Sequence, residues 1–144
     1  MKYFLKTSVV ILGVVFMSNT SCEKETLTGV KTSRFDSPVE LLVDEKVTFS
    51  KNSKELTLTL VSLSDSRCAK NVQCIWAGNA VAKVQLSGAD GSEAELSLCI
   101  GECDKVVKTS DTLSVSLNDT NYKVILNEVK NEGINKAVLT VKKI

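Results

Sequence analysis

The chain contains no histidine, and its 144 residues include only one proline, one tryptophan and two methionines. Histidine is the commonest general base and the commonest zinc ligand. Its absence therefore excludes Ser-His catalysis and the histidine sites that hold copper or haem. No Gly-x-Ser-x-Gly motif and no glycine-rich phosphate loop is present either. We therefore predict that the protein is not an enzyme and needs no cofactor.

An excess of charge of either sign is also missing. The chain has 18 basic and 17 acidic residues, a formal net charge of +1. Proteins that bind nucleic acid concentrate Lys and Arg on one surface to neutralise phosphates. The balanced charge predicts that nucleic acid is not a partner.

The N-terminus has the order of a secretory signal. Lys2 and Lys6 supply a short basic region, and residues 9–17 are apolar apart from one glycine. Small polar residues then lead to Cys22. A membrane-spanning helix needs about 20 apolar residues, roughly twice the length of this run. We therefore predict that residues 1–21 are a signal peptide and that the protein is exported.

Cys22 is the expected site of lipid attachment. The pair Ser21-Cys22 resembles the end of a bacterial lipobox, in particular the loose lipoboxes of Bacteroidota lipoproteins, although Asn19 stands where Leu, Val or Ile is usual. The resemblance implies two or three acyl chains on the cysteine, which anchor a protein stably to a membrane. It also implies an outer-membrane location, on the periplasmic or the surface-exposed face. The alternative is ordinary signal cleavage and release of the protein.

The rest of the chain divides into a tether and one domain. Residues 22–37 are polar and mixed in charge, with few apolar positions, and predict a flexible tether. Pro38 marks its end, and residues 38–144 have the length of one small domain.

Apolar residues in the domain recur with a period of two, which indicates β-strands with one buried face. Residues 56–60 and 80–86 are clear examples, and a slip in the alternation at Val61 predicts a β-bulge. Ala89-Asp90-Gly91-Ser92 predicts a hairpin turn. Seven or eight such short strands predict an all-β fold, an antiparallel, immunoglobulin-like β-sandwich. A small β-barrel is the alternative, because strand number alone does not separate the two.

Four cysteines lie in the domain, an even number that favours disulfides in an exported protein. Three pairings are open, and we favour Cys68–Cys74 and Cys99–Cys103 because each pair brackets a short loop between strands. Four thiolates are also the ligand set of a zinc ribbon. However, the spacings Cys-x5-Cys and Cys-x3-Cys differ from the Cys-x2-Cys of such sites. We therefore predict no metal site.

The segment around the first cysteine pair is the most distinctive in the chain. It resembles a stretch of a poorly characterised family of secreted bacterial proteins and lipoproteins, which reads Asp-Ser-Arg-Cys, a short loop, and Cys-x-Trp-x-Gly. The family positions are kept at Asp65, Ser66, Arg67, Cys68, Cys74, Trp76 and Gly78. The sequence departs at Ala69, where a proline is expected, and this implies a looser turn. The resemblance implies no particular activity.

Two interpretations of this segment stay open. In the structural one, Trp76 is a lid over the Cys68–Cys74 bridge, and Asp65 and Arg67 cap the loop backbone or pair with each other. In the functional one, the segment is a rigid binding loop with Trp76 as its platform and the two charged residues as polar anchors.

A further motif, Asp111-Thr112-Leu113, resembles the acceptor site for O-glycosylation in exported Bacteroidota proteins. The resemblance implies a glycan on Thr112.

Together these features predict a non-catalytic cell-envelope lipoprotein, attached to the membrane through Cys22, that presents a disulfide-braced β-sandwich to a protein or glycan partner. The alternative is a structural or stress-protective envelope protein without a discrete ligand. Beyond residue 21 the large aromatic candidates are few, and we expect Phe49, Trp76 and Tyr122 in the core. Because glycan-binding modules usually expose several aromatic rings, this favours a protein partner.

Overall fold

The computed structural model describes residues 30–51 and 54–144, which form ten β-strands. Their bounds are β1 Lys31–Ser33, β2 Pro38–Leu41, β3 Lys46–Lys51, β4 Lys54–Asp65, β5 Asn79–Gly88, β6 Glu93–Cys103, β7 Val106–Lys108, β8 Asp111–Leu117, β9 Thr120–Glu132 and β10 Ile134–Lys143. No helix in this part of the chain is long and apolar enough to span a membrane. The expected signal peptide and lipidation site lie outside the described residues.

The strands form two sheets, which confirms the predicted β-sandwich over the closed barrel. One sheet has the order β1-β3-β4-β5-β6-β7 and the other the order β2-β10-β9-β8. All neighbouring strands are antiparallel except β1 and β3. Most neighbouring strands are consecutive in the chain, so both sheets consist mainly of meanders. The two strands beyond the expected eight are β1 and β7, each three residues long.

Period-two alternation places the core between the sheets. In β5, Ala80, Ala82, Val84 and Leu86 are fully buried, and the intervening residues are half-buried or exposed. Strands β4, β9 and β10 contribute their inward residues in the same way. The largest fully buried side chains are Phe49, Leu41, Leu56, Leu58, Leu60, Leu86, Leu98, Leu126 and Leu139.

The predicted bulge in β4 is present, because the pairing with β5 shifts register between Leu60 and Ser62. Before the bulge the even-numbered residues of β4 face the core, and Val61 is the extra, exposed residue. After it the odd-numbered residues are the less exposed ones. The bulge therefore turns the side chain of Asp65, the last residue of β4, toward the interior.

The predicted boundary between tether and domain is wrong. Residues 31–33, which we assigned to the tether, form β1 and pair with β3. Phe35 packs against the core, with its ring centroid 5.3 Å from that of Phe49 and 6.1 Å from that of Tyr122. An edge strand buries few side chains, so its polar sequence had no alternation to reveal it.

Candidate functional site

The loop of residues 66–78 lies at one end of the sandwich and extends the β4–β5 hairpin. The amide of Ser66 donates to the carbonyl of Asn79 at 2.8 Å, and the amide of Cys68 donates to the carbonyl of Ala77 at 2.9 Å. Beyond these bonds the predicted disulfide between Cys68 and Cys74 closes the loop, with the two Cα atoms 5.9 Å apart. The hydrogen bonds and the bridge restrain the loop along its length.

A partly buried ion pair fixes the base of this loop. The Arg67 guanidinium donates through Nε to Asp65 Oδ1 at 2.8 Å and through Nη2 to Asp65 Oδ2 at 2.7 Å, and the Arg67 amide also donates to Oδ1 at 3.1 Å. The Asp65 side chain is 4% exposed. Arg67 Nη2 donates as well to the carbonyl of Val129 in β9, at 2.6 Å. The pair thus ties the loop to the opposite sheet.

Both predicted structural roles of Asp65, capping and pairing, are confirmed by these bonds. The hydrogen bonds from the Arg67 side chain lower the pKa of Asp65, against the opposing effect of burial. Since the carboxylate and the guanidinium are engaged with each other and with the backbone, we assign them to positioning the loop. The interpretation of these two residues as polar anchors for a ligand is left without support.

Close backbone packing explains the glycine of the Cys-x-Trp-x-Gly segment. Gly78 has φ +68°, and a Cβ atom there would lie 2.0 Å from the carbonyl oxygen of Ser66. Gly101 of β6, with φ +89°, would place a Cβ 2.6 Å from the carbonyl oxygen of Gly78. The Gly78 carbonyl accepts a hydrogen bond from the Glu102 amide at 2.9 Å. The loop is therefore seated directly on the backbone of β6.

The second predicted disulfide, Cys99–Cys103, joins two residues of the same strand. Four residues of extended chain span about 13 Å, whereas these Cα atoms are 6.1 Å apart. Strand β6 must therefore bend sharply between them, at Gly101. Beyond the bend, β6 turns into β7 through Asp104 and Lys105, both with positive φ.

Trp76 does not cover the Cys68–Cys74 bridge, so the lid interpretation is wrong. Its side chain is 72% exposed, and the neighbouring Ile75 is 97% exposed. The interior beneath the loop is occupied by the Arg67 side chain and by the close approach of Gly78 and Gly101. Exposure fits the other interpretation, in which Trp76 is the platform of a rigid loop.

We use the name apolar tip for the exposed large apolar residues of this loop and of the neighbouring strand β7. Strand β7 adjoins the loop, because its Val107 pairs with Glu102 and the backbone of Glu102 bonds to Gly78 and Asn79. The tip comprises Val72, Ile75 and Trp76 of the loop with Val106 and Val107 of β7. Large exposed apolar side chains that cluster at one end of a domain are candidates for a contact site.

Sequence reasoning missed the contribution of β7 to the tip. Val106 and Val107 are adjacent, so they show no alternation, and they stand between Lys105 and Lys108 close after a cysteine. The available signal in the sequence was a pair of adjacent valines between two lysines.

The chemistry of the described residues is limited to the tip and its supports. The sulfur atoms of Cys68, Cys74, Cys99 and Cys103 are bonded in the two disulfides, so the zinc alternative, which needs four thiolates, is wrong. In residues 30–51 and 54–144 no group of three or more Cys, Asp or Glu side chains is arranged to hold a metal ion.

Thr112, the expected O-glycosylation site, is exposed on β8. Its neighbour Asp111 accepts hydrogen bonds from the Cys99 amide at 3.0 Å and from Lys108 Nζ at 3.1 Å. Burial raises the pKa of Asp111, but the hydrogen bonds lower it by more. The net effect is a lowered pKa, which favours the charged carboxylate. Glycosylation of Thr112 stays a prediction.

No protein-family model matches the chain, and no curated protein or solved structure matches it either. The function therefore has to be argued from the apolar tip and from the residues that hold it in place.

Proposed function

We propose that the protein is a non-catalytic cell-envelope lipoprotein, anchored by lipid on Cys22, whose β-sandwich makes contact with its partner through the apolar tip. The observation that carries the proposal is the exposure of Ile75 and Trp76, at 97% and 72%, on a loop that is held rigidly. Large apolar side chains kept in water forgo the stabilisation that burial would provide, about 1.5 to 3 kcal/mol for each.

Rigidity makes this exposure useful for binding. A loop fixed by a disulfide, an ion pair and backbone hydrogen bonds loses little conformational entropy when a partner covers it. Tryptophan is also among the residue types that contribute most to the binding energy of protein contacts. These arguments favour an apolar contact over a glycan site. Sugar-binding surfaces usually present several aromatic rings, and Trp76 is the one exposed aromatic side chain among the described residues.

The cysteine count supports the anchor. The chain has five cysteines, and the two disulfides use four of them. Cys22 is thus left without a cysteine partner within the chain. A thiol at the end of an export signal is available for acylation, and two or three acyl chains provide stable attachment to a membrane.

Replacing Cys22 tests the anchor. We expect Cys22→Ser to release the protein from the membrane fraction and to abolish metabolic labelling with palmitate. Retention of the variant in membranes without label would contradict a lipid anchor.

Photo-crosslinking tests the tip against the alternative of a structural protein without a ligand. A photoreactive side chain at position 76 should give covalent adducts in intact cells. The matched control is position 144, where Ile144 is also exposed but lies at the other end of the sandwich, with its amide bonded to the carbonyl of Asn121. Equal labelling at the two positions would favour the alternative.

A further inference from the structure

The path by which the chain enters the domain relates the tip to the anchor. In β1, Lys31 pairs with Val47, which in turn pairs with Leu58 of β4. Strand β1 is parallel to β3 and therefore antiparallel to β4, which runs from Leu58 toward the tip. The chain before Lys31 thus approaches the sheet from the side of the apolar tip.

The preceding chain is long enough to reach the end of the sheet that carries the tip. From Leu58 to Asp65 the sheet continues for seven residues, about 23 Å. From Cys22 to Lys31 there are nine residues, which span at most about 30 Å. A lipid-bearing Cys22 can therefore reach the level of Asp65, at the base of the loop, without any rearrangement of the domain.

The opposite end of the sandwich, which we call the polar end, has a different surface. It consists of the β5–β6 turn at residues 89–92 and the β8–β9 turn at Asn118 and Asp119. Asp90 and Asp119 are exposed there. Among the exposed large apolar residues of the described chain, Ile144 is the one that lies at this end. Of the two ends, the apolar tip is the one suited to a bilayer surface.

We propose that the apolar tip inserts into the interfacial layer of the same bilayer that holds the lipid on Cys22. This inference rests on the proposed anchoring. Tryptophan favours the interface between headgroups and acyl chains, and aliphatic side chains beside it add buried apolar area. The acyl chains keep the tip at a high effective concentration near the membrane, so even a weak contact is largely formed. The bound domain then directs its polar end away from the membrane.

The charges around the tip make this contact mainly apolar. Lys70 and Lys105 are exposed beside it, but so are Glu102 and Asp104. Opposite charges in equal number give little net attraction to anionic headgroups. Insertion should therefore persist at a salt concentration that screens surface charges.

The single tryptophan of the chain allows a direct test. The lipidated, full-length mature protein is reconstituted into phosphatidylethanolamine–phosphatidylglycerol vesicles, with and without brominated acyl chains, and flotation verifies its attachment. We expect Trp76 emission to shift to the blue, to be quenched by the brominated lipid, and to be protected from iodide, at low and at high salt. In the Cys22→Ser protein, with the same vesicles, these changes should be much weaker.

Variants of the tip supply the control. Ile75→Ser combined with Val107→Ser should reduce the bromolipid quenching, and the fold should survive because both side chains are exposed. Ile144→Ser, an exposed isoleucine of the polar end, should leave the quenching unchanged. Equal quenching in the tip variant and the wild type would overturn the inference.

Two further outcomes separate the inference from the proposed function. If the protein floats with the vesicles but Trp76 stays open to iodide and unquenched, the anchor stands and membrane insertion is wrong. The tip is then free for a protein partner. If the mature protein carries no lipid and does not float, the anchor and the insertion fail together.

Discussion

The two ends of the sandwich are held by different means. The apolar tip is supported by two disulfides, by the partly buried pair of Asp65 and Arg67, and by the close packing of Gly78 on β6. The polar end depends on short-range hydrogen bonds, such as those from the amide and the hydroxyl of Ser92 to Asp90 Oδ1, at 3.1 and 2.6 Å. The strongest restraints thus lie beneath the apolar tip, the surface whose exposure to water is least favourable. This is the arrangement expected where a contact site must keep its shape.

The shapes of the two ends differ as well. The polar end has a cavity of about 270 Å³ between the hairpin turns, lined by Lys54, Leu56, Asp90, Thr120 and Tyr122 among others. A second cavity, of about 460 Å³, lies at the same end as the tip, beside Val43 and Ile134. Small-molecule sites are usually apolar clefts of about 300 to 1,000 Å³. The first cavity lies below that range and is partly charged, and the second is largely open to solvent.

Replacing a glycine should give the largest difference in stability between the two ends. Gly78→Ala forces a Cβ against the Ser66 carbonyl and keeps a positive φ, and we expect it to destabilise the domain by at least about 4 kcal/mol. Gly91→Ala in the polar end has φ +82° with open space around the new Cβ, and should cost about 1 kcal/mol. Urea unfolding measures both. If the two variants lose similar amounts of stability, the backbone beneath the tip adjusts easily to the added Cβ.

Replacing Asp65 should have the next largest effect. Asp65→Asn leaves the Arg67 charge short of its partner, and we expect a loss of about 2 to 3 kcal/mol, less than for a fully buried pair because Arg67 is 30% exposed. Asp90→Asn is the control in the polar end, where the carboxylate is exposed, and its effect should be small. Equal effects of the two substitutions on urea unfolding would contradict the assigned role of the ion pair.

The same ion pair should make the stability of the domain depend on pH in the acid range. Because Arg67 lowers the pKa of Asp65 in the folded protein, the pair contributes its full stability above the ordinary pKa of aspartate, 3.8. That contribution is lost as the pH falls through the lower folded value. The wild type should therefore lose stability more steeply than Asp65→Asn in urea titrations from about pH 5 downward. Parallel curves would show that the carboxylate has its ordinary pKa.

Removal of the Cys68–Cys74 bridge should reduce stability by less, but it should make the loop of the tip more mobile. The bridge closes a loop of few residues, so Cys68→Ser with Cys74→Ser should cost about 2 kcal/mol at most. Amide exchange in residues 69–77 should become faster, while exchange at the polar turns stays unchanged. In the wild type a mild reductant should open this bridge before Cys99–Cys103, because Cys74 is exposed and Cys103 is buried. The reverse order would contradict this difference in access.

Replacing Trp76 should have the smallest effect on the stability of the fold. We expect Trp76→Ala to change the free energy of unfolding by no more than about 0.5 kcal/mol, since the side chain is exposed. Phe49→Ala, which empties a fully buried site, should cost about 3 to 5 kcal/mol. A large loss for Trp76→Ala would restore the lid interpretation.

The sequence was sufficient for features that depend on local patterns. Alternation placed the core residues of β4, β5 and β9, the slip at Val61 located the bulge, and cysteine spacing identified both bridges. Strands β1 and β7 were missed because their residues pair through the backbone while their side chains remain mostly exposed. The position of Trp76 was assigned wrongly for a related reason. The backbone of Gly78 and the Arg67 side chain fill the space beneath the loop, and that depends on contacts between distant parts of the chain.

The entry of the chain through β1 has a mechanical consequence. If the chain is pulled from residue 22 past the tip, as the proposed lipid anchor would pull it, the force acts along β1. It loads the pairing of β1 with β3 in shear, so that the backbone hydrogen bonds resist together. Behind them Phe35 is packed against Phe49 and Tyr122. The domain should therefore withstand tension on its anchor better than an attachment that peels one bond at a time. Pulling single molecules from residue 22 should show a higher rupture force in the wild type than in Phe35→Ala.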